Sequence, residues 1–328
     1  MSTNTHDSNG NRQRVIVVLG AGRSGTSAIT RALPALGVQL GDKLRPGRGK
    51  NPTGFFEDVD LLALSKRVRR TLGIRPESVR LIRDEEWQSP AITALRDEAI
   101  ETVRRRFGGY PLWGFKYGRT LRLLPFWEDV FGRLGTDVGY VLALRNPLSV
   151  ARSRAELAPE RGTQEKSDLE WLVSVVPYFA LATRRPLVVV DFDRVMAAPQ
   201  AQLERMASSL SLRVTPAVRA GIETYAKDFL EAGRRHTVFT IGDLEADERI
   251  HPLVRRAYRW LDDLARDTVT TDSPELRVGW AEIEEGLRTL APVLAHLDML
   301  EARLRQARRS PLGPLQAVPH LWRHLRNR

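Results

Sequence analysis

The sequence predicts an α/β protein. It is expected to form a three-layer fold around a mostly parallel central sheet, with a helical extension at the C-terminal end. Three observations carry this. Short, β-branched apolar runs alternate with helix-length amphipathic stretches over the first two thirds of the chain. The first apolar run enters a glycine-rich turn and leaves it as a helical pattern. From about residue 198 onward the periodicity is helical almost throughout. Strands joined by helices pair in parallel and are covered on both faces.

In chain order, residues 1–13 are polar and are expected to be a disordered tail. Strands follow at Val15–Leu19, Leu112–Lys116, Val138–Leu144 and Leu187–Phe192. Helices are expected near 26–37, 57–72, 90–107, 147–158 and 165–184. Breaks in the later helical region are placed near Gly242 and at Asp272–Pro274, and one long helix is expected over 275–309. The division that results is an α/β domain over 14–245, a helical extension packed on it over 246–309, and a basic tail over 310–328.

At 328 residues the chain can bury a large core, and 42% hydrophobic with 28% charged residues is the balance of a globular protein. No apolar run approaches the roughly 20 residues needed to cross a bilayer. The polar start, MSTNTHDSNGNRQR, does not read as a signal peptide, so a cytoplasmic location is expected. There are no cysteines, which excludes disulfides and thiolate metal sites. The six histidines are scattered, and His320 and His324 sit in a basic segment without acidic neighbours, so no metal site is expected. With 51 Lys+Arg against 40 Asp+Glu, the net charge of +11 favours anionic partners. Nucleic acid is not expected among them, because the aromatics do not interleave with a basic stripe. Weak contact of the basic C-terminal tail with a membrane surface is compatible with its composition.

The most informative stretch is 15-VIVVLGAGRSGTSAITRAL-33. A glycine-rich turn between a buried strand and a helix exposes backbone N–H groups toward an anion. Thr26 and Ser27 add hydroxyls, and Arg23 adds a planar cation suited to phosphate or sulfate oxygens. Three ligands compete on this loop alone. Gly20, Gly22 and Gly25 fit G-x-G-x-x-G, but the acidic strand end wanted by a dinucleotide is represented only by 38-VQLGD-42. The loop also begins like a P-loop, yet Thr26 stands where the phosphate-binding lysine belongs. Asp191 and Asp193 after the fourth strand keep a magnesium nucleotide open. The third candidate is some other phosphorylated donor.

Two further segments bear on the choice. In 138-VGYVLALRNPLSVARSRAE-156 a strand runs into Arg145-Asn146-Pro147 and then a helix. Pro147 suits the first helical turn, where its missing N–H costs nothing. Ser153 lies about two turns later, so Arg145 and Ser153 can grip one phosphate from two sides. In 112-LWGFKYGRTLRLLPFW-127, Lys116 ends another strand. In a parallel sheet these C-terminal strand ends share the edge where ligands bind.

Strand–GxRSGTS–helix followed by strand–RNPxxxxxxS–helix resembles the sulfotransferases that use 3′-phosphoadenosine 5′-phosphosulfate (PAPS), and bacterial members in particular. The resemblance continues through 51-NPTGFFEDVDLLAL-64, the W-x-x-K strand Trp113–Lys116 and 189-VVDFDRVMAAPQAQLERMASSL-210, covering roughly 14–235. It implies that Gly22, Arg23, Ser24, Gly25, Thr26 and Ser27 bind the 5′-phosphosulfate, and that Arg145 and Ser153 bind the 3′-phosphate. It implies PAPS as donor, adenosine 3′,5′-bisphosphate as product, no metal, and a hydroxyl-bearing acceptor such as a carbohydrate or glycolipid. Arg23 and Lys116 would face the charge that develops on the leaving group, and Glu57, with Asp58 second, would take the acceptor proton. The histidine that some members carry two residues after the lysine is replaced by Gly118. Where many bacterial members read Lys-Asp-Pro-Arg, this chain reads Lys116-Tyr117-Gly118-Arg119, which leaves Arg119 without a carried-over role. The segment 233-GRRHTV-238 is similar to an Arg/His run of the family. A magnesium-dependent P-loop phosphotransferase and a donor-binding or acidic-polymer-binding scaffold without activity are the competing functions.

Overall fold

The computed structural model describes residues 12–47, 54–231 and 239–309. Residues 1–11 and 310–328 of the expected tails, the segment 233–238 and part of the loop before Gly54 lie outside the described residues, whereas Gln13, expected in the tail, is held in the fold, its carbonyl accepting from Asp137 N at 3.0 Å. The strands are β1 (Arg14–Gly20), β2 (Leu112–Lys116), β3 (Asp137–Leu144) and β4 (Leu187–Asp191). The helices of the first half are α1 (Thr26–Ala32), α2 (Val59–Thr71), α3 (Asp84–Trp87), α4 (Pro90–Phe107), α5 (Leu124–Leu134), α6 (Pro147–Ala155) and α7 (Gln164–Ala182). Those of the second half are α8 (Phe192–Ala197), α9 (Pro199–Ser209), α10 (Pro216–Glu231), α11 (Ile241–Ala246), α12 (Pro252–Ala265), α13 (Pro274–Thr289) and α14 (Ala291–Arg309).

All four strands pair in parallel, in the order β2-β1-β3-β4. The expected α/β class and parallel sheet are what the chain adopts. Alternation along β1 divides the interior into two layers, because successive side chains point to opposite faces. Val15, Val17 and Leu19 join a core shared with α2, α4, α5, α7 and the C-terminal helices. Ile16 and Val18 face the other core, with α1, α9 and α10. The chain leaves β1 toward β2 on one side and returns to β3 on the other. The crevice above the C-terminal ends of β1 and β3 is thus the switch point at which ligands of such sheets bind.

An aromatic stack fixes the outer strand. Phe107 lies 4.2 Å from Trp113, and Phe115 lies 4.7 Å from Trp127, ring centre to ring centre. Each such pair adds about 0.5–1.5 kcal/mol beyond its burial. The residue after Phe115 is Lys116, in register with Val18, so this stack places the lysine beside the base of the first loop.

Several boundaries differ from expectation. The helix expected over 275–309 is two helices, α13 and α14, separated at Leu290. Pro292 explains the break, since it has no N–H to continue the bonding of α13 and is tolerated in the first turn of a new helix. The break expected near Gly242 falls just before it, at Thr240, the N-cap of α11. The first helix gives way to a 3-10 turn, Leu33–Leu36, that contains Pro34. Residues 38–42 form no strand, only a lone bridge of Gln39 with Trp113. Phe192 begins α8 instead of ending β4. Helix α5 was not expected; Pro125 starts it, and Leu124, Trp127 and Phe131 give it a buried face. The C-terminal helices pack against α7: Trp280 Nε1 donates to Val176 O at 3.2 Å, and its ring sits 4.0 Å from Phe179. Among the described residues no helix is long and apolar enough to cross a membrane.

Candidate active site

The first loop leaves β1 at Gly20 and turns sharply, with Ser24 N donating to Ala21 O at 3.2 Å. Arg23 and Gly25 both hold left-handed backbone, at φ 77° and 81°. For an arginine that conformation is strained, and such strain persists where the surroundings enforce it. At Gly25 a side chain is also excluded by space, because an added Cβ would lie 2.3 Å from Phe192 Cδ2. Helix α1 has only seven residues. Its dipole therefore contributes less than expected, and the loop's own groups matter more. Ser24 Oγ is buried without a hydrogen-bond partner among the described residues. Ser27 Oγ accepts from Lys116 Nζ at 3.0 Å. Thr26 is buried under the loop, and its carbonyl accepts from Thr30 Oγ1 at 2.7 Å.

The second loop brings Arg145 and Ser153 to the same place. Asn146 caps α6 by accepting from Leu148 N at 3.0 Å, while its amide donates to the carbonyls of Phe239 and Thr240 at 3.1 and 3.0 Å. About two turns further on, Ser153 Oγ accepts from Arg23 Nε at 3.0 Å and from Arg23 Nη2 at 2.9 Å. Arg145 lies over the Phe192 ring at 4.9 Å, and its Nη1 reaches Arg23 O at 3.4 Å. The residues expected to hold the two phosphates thus meet through Arg23. Neither Arg23 nor Arg145 forms an ion pair with a described carboxylate, and Arg145 Nε is buried without a partner among the described residues. Burial lowers the pKa of Arg23 against the weaker pull of Glu156. Burial also lowers that of Arg145, opposed by Asp193 and assisted by Arg23.

The third component is an ion-pair chain. Lys116 Nζ donates to Glu57 Oε1 at 3.0 Å, and Arg45 Nη1 donates to Glu57 Oε2 at 3.1 Å. Arg45 is itself stacked on Phe55, 3.9 Å from the ring centre. Backbone pairing positions this segment: Arg45 N donates to Glu57 O at 2.7 Å and Val59 N to Lys43 O at 2.9 Å. Phe56, immediately before Glu57, is a second strained non-glycine residue, at φ 53°. Lys116 is almost fully buried, and burial holds its pKa below the ordinary lysine value despite the favourable charge of Glu57.

Asp58 is drawn into structure rather than chemistry. Glu57 and Asp58 precede α2 instead of opening it, and Asp58 is its N-cap, accepting from Asp60 N and Leu61 N at 3.0 and 3.1 Å. The other Asp58 oxygen accepts from Arg106 Nη2 at 2.7 Å. Asp191 is likewise spent on capping α8, through Arg194 N at 2.9 Å. Among the described residues no group of three or more His, Asp or Glu side chains converges as a metal site.

Three residues that the sequence reading passed over complete the site. Arg45 clamps Glu57. Arg154 Nη2 reaches Gly22 O at 3.4 Å and its Nη1 donates to Ser167 O at 2.9 Å, bracing the first loop from α6. Phe192 underlies Gly25 and Arg145 together. For Phe192 a signal existed, since it follows a buried strand whose end must lie on the same sheet edge.

No known protein family matches the sequence, and no curated protein matches it. Several solved structures resemble the chain, among them sulfotransferases. One from Mycobacterium tuberculosis is 14% identical, with a TM-score of 0.41 over 67% of this chain and 77% of that one. One from Mycobacterium avium is 16% identical, with a TM-score of 0.39 over 84% and 77%. The sulfotransferase domain of a Synechococcus olefin synthase is 15% identical, with a TM-score of 0.37 over 85% and 96%.

Proposed function

We propose that the protein is a PAPS-dependent sulfotransferase that moves a sulfuryl group to a hydroxyl acceptor. The observation that carries this reading is the meeting of Arg23, Arg145 and Ser153 at the ends of β1 and β3. The Arg145 guanidinium reaches Arg23 O at 3.4 Å, the Arg23 guanidinium bonds Ser153 Oγ, and neither forms an ion pair with a described carboxylate, although Glu156 and Asp193 lie near enough to act on them. Such a centre favours a ligand with more than one anionic group.

The residues present fit the donor. Ser24 Oγ and Arg145 Nε are buried polar atoms without protein partners among the described residues, the state expected of groups that bond to a ligand. Gly22, Arg23, Ser24, Gly25, Thr26 and Ser27 would hold the 5′-phosphosulfate, and Arg145 with Ser153 the 3′-phosphate. The bound donor supplies an activated sulfuryl group. The chain's own residues then have distinct tasks. Arg23 and Lys116 present cations to the oxygen that gains charge as the sulfuryl group leaves, and fixed charges of this kind dominate such catalysis. Glu57 takes the proton of the acceptor hydroxyl. The Glu57–Lys116 ion pair also supports a second role for the same carboxylate, orientation of Lys116. A carbohydrate or glycolipid is the acceptor class in keeping with the arginine-rich surface, and the cytosol is the compartment in keeping with a freely diffusing donor.

The test is isothermal titration with adenosine 3′,5′-bisphosphate, adenosine 5′-monophosphate and ATP·Mg. The wild-type protein should prefer the bisphosphate. Arg145→Ala should weaken bisphosphate binding about 10- to 100-fold, the effect of removing a charged hydrogen-bonding group, and leave the monophosphate nearly unchanged. Equal losses for both ligands would remove the 3′-phosphate assignment. Magnesium-dependent ATP binding in preference to the bisphosphate would instead identify a phosphotransferase.

A further inference from the structure

Beyond Lys116 the chain turns tightly through Tyr117-Gly118-Arg119, closed by Thr120 N donating to Tyr117 O at 2.8 Å and Tyr117 N to Thr120 Oγ1 at 2.9 Å. The turn delivers Arg119 into a group of like charges. Arg119 makes no hydrogen bond or ion pair with any described residue, although it is only partly exposed. Burial lowers its pKa first; Tyr117 and Glu170 act against this, and the positive charges of Arg161 and Arg69 add to it.

The surrounding groups do not neutralise it. Glu170 is the nearby carboxylate, and Arg161 already takes both of its oxygens, Nε to Oε1 at 3.0 Å and Nη2 to Oε2 at 2.7 Å. Arg154 also leans on Glu170, at 3.4 Å. Asp168, two residues earlier on α7, is occupied by Gln164 Nε2 at 2.6 Å and His251 N at 2.7 Å. Arg69 donates Nη1 to Ile74 O at 2.7 Å, but its Nε is buried without a partner among the described residues. Arg161 also interacts with Glu77, so of these four guanidinium groups it is Arg119 that has neither a hydrogen bond nor an ion pair with a described residue. This contrasts with Arg106, which alone engages Asp42, Asp58 and Asp60. Partly burying a cation among cations is costly unless an anion joins it. The cluster also borders the reaction centre: Arg119 follows Lys116 by three residues, and Arg154 contacts the first loop at Gly22 O.

We propose that Arg119, flanked by Arg161 and Arg69, forms an anion subsite for the acceptor, so that the substrate is an anionic alcohol carrying a carboxylate or phosphate group besides its reacting hydroxyl. The proposal rests on the sulfotransferase reading for the word acceptor, but the anion subsite itself does not depend on it. Assignment to the acceptor follows from placement. The donor cations Arg23 and Arg145 gather at the β1 and β3 ends, whereas Arg119 leaves from β2, past the lysine.

The experiment is calorimetric titration of the full chain with glucose, glucuronate and glucose 6-phosphate, with and without saturating adenosine 3′,5′-bisphosphate. Both anionic sugars should bind about tenfold or more tightly than glucose, the least expected from one charged hydrogen-bonding partner. Arg119→Gln should erase the preference and leave bisphosphate affinity unchanged, while Arg119→Lys should retain part of it. Thermal unfolding of both variants checks that they fold, and the lysine variant keeps the test decisive if the glutamine variant does not. A larger gain for glucuronate identifies a carboxylate acceptor, and for glucose 6-phosphate a phosphorylated one. Equal binding of the three sugars, no binding of either anion, or an undiminished preference in Arg119→Gln overturns the subsite. A parallel loss of bisphosphate affinity in Arg119→Gln also overturns it, by assigning the residue to the donor. If the wild-type protein binds no bisphosphate, the donor reading fails, and the sugar titrations without it still report on Arg119.

Discussion

The two halves of the crevice are built on opposite electrostatic plans. On the β3 side, Arg23 and Arg145 are held by a serine hydroxyl, a backbone carbonyl and an aromatic ring, with no ion pair to a described carboxylate. On the β2 side, Glu57 bridges Lys116 and Arg45 in a chain of two ion pairs. Neutral groups make the direct contacts to these guanidinium groups, and Glu156 and Asp193 offset their charge only from further away, so the first half is prepared for an anion. In the second half one carboxylate offsets one of two cations and bonds to both, so it holds those side chains in one geometry. The two halves meet at the first loop, where Lys116 Nζ donates to Ser27 Oγ at 3.0 Å.

Removing the lysine should break the second half most severely. Lys116→Ala is expected to lower turnover of PAPS about a thousandfold, the upper range for deleting one preorganised group that stabilises transition-state charge. Bisphosphate affinity, set by the other half, should stay near wild type. Product release from labelled PAPS with a fractionated cell extract as acceptor source measures the first, and calorimetry the second. Turnover within a few-fold of wild type would place the chemistry elsewhere.

Glu57→Gln is expected to cost less, about a hundredfold, within the range for a lost general base. Its pH profile separates the two roles of the carboxylate. If Glu57 accepts the proton, the acidic limb of kcat/KM disappears with the substitution. A rate that drops while the acidic limb survives leaves Glu57 as the residue that orients Lys116.

The sequence revealed these halves unevenly. The β3-side residues were legible because strand, loop and helix are contiguous, so Gly22–Ser27 and Arg145–Ser153 announce themselves by local pattern. The parallel pairing that brings the two segments together also follows from the helix-length connections. What the pattern could not show is who touches whom. Ser153 was expected to share a phosphate with Arg145, but its oxygen takes two hydrogen bonds from Arg23, a residue 130 positions away. Arg45 and Arg154 carry no local signature; each is one arginine in a chain with 51 basic residues, and only tertiary contact distinguishes it. Asp58 shows the reverse case, since capping is a local signal and its neighbour Glu57 drew attention away from it. The split at Leu290 was legible from Pro292 and was masked by an otherwise continuous helical period.

A buried carboxylate without a cation sharpens the contrast further, and it should affect the reaction least. Asp168 is held by an amide side chain and a backbone N–H instead of a directly bonded cation, unlike Glu57. Burial pushes its pKa up from 3.8 to about 6, with the hydrogen bonds from His251 N and Gln164 pulling the other way. A folded-state value above the unfolded one means that the protonated form is favoured by folding. The resulting stability is fully present below about pH 4 and is lost as the pH rises through about 6, amounting to about 3 kcal/mol at most from the 1.36 kcal/mol per pKa unit. Asp168→Asn cannot titrate, so its stability relative to wild type should improve as the pH rises from 4 to 7, while turnover of PAPS stays near wild type. Urea unfolding of both proteins at each pH isolates the residue, because every other titration, including that of Asp191, cancels in the difference. A difference that stays constant across that window would mean the Asp168 carboxylate is stabilised as an anion after all, with Arg154 taking the part that Lys116 takes for Glu57.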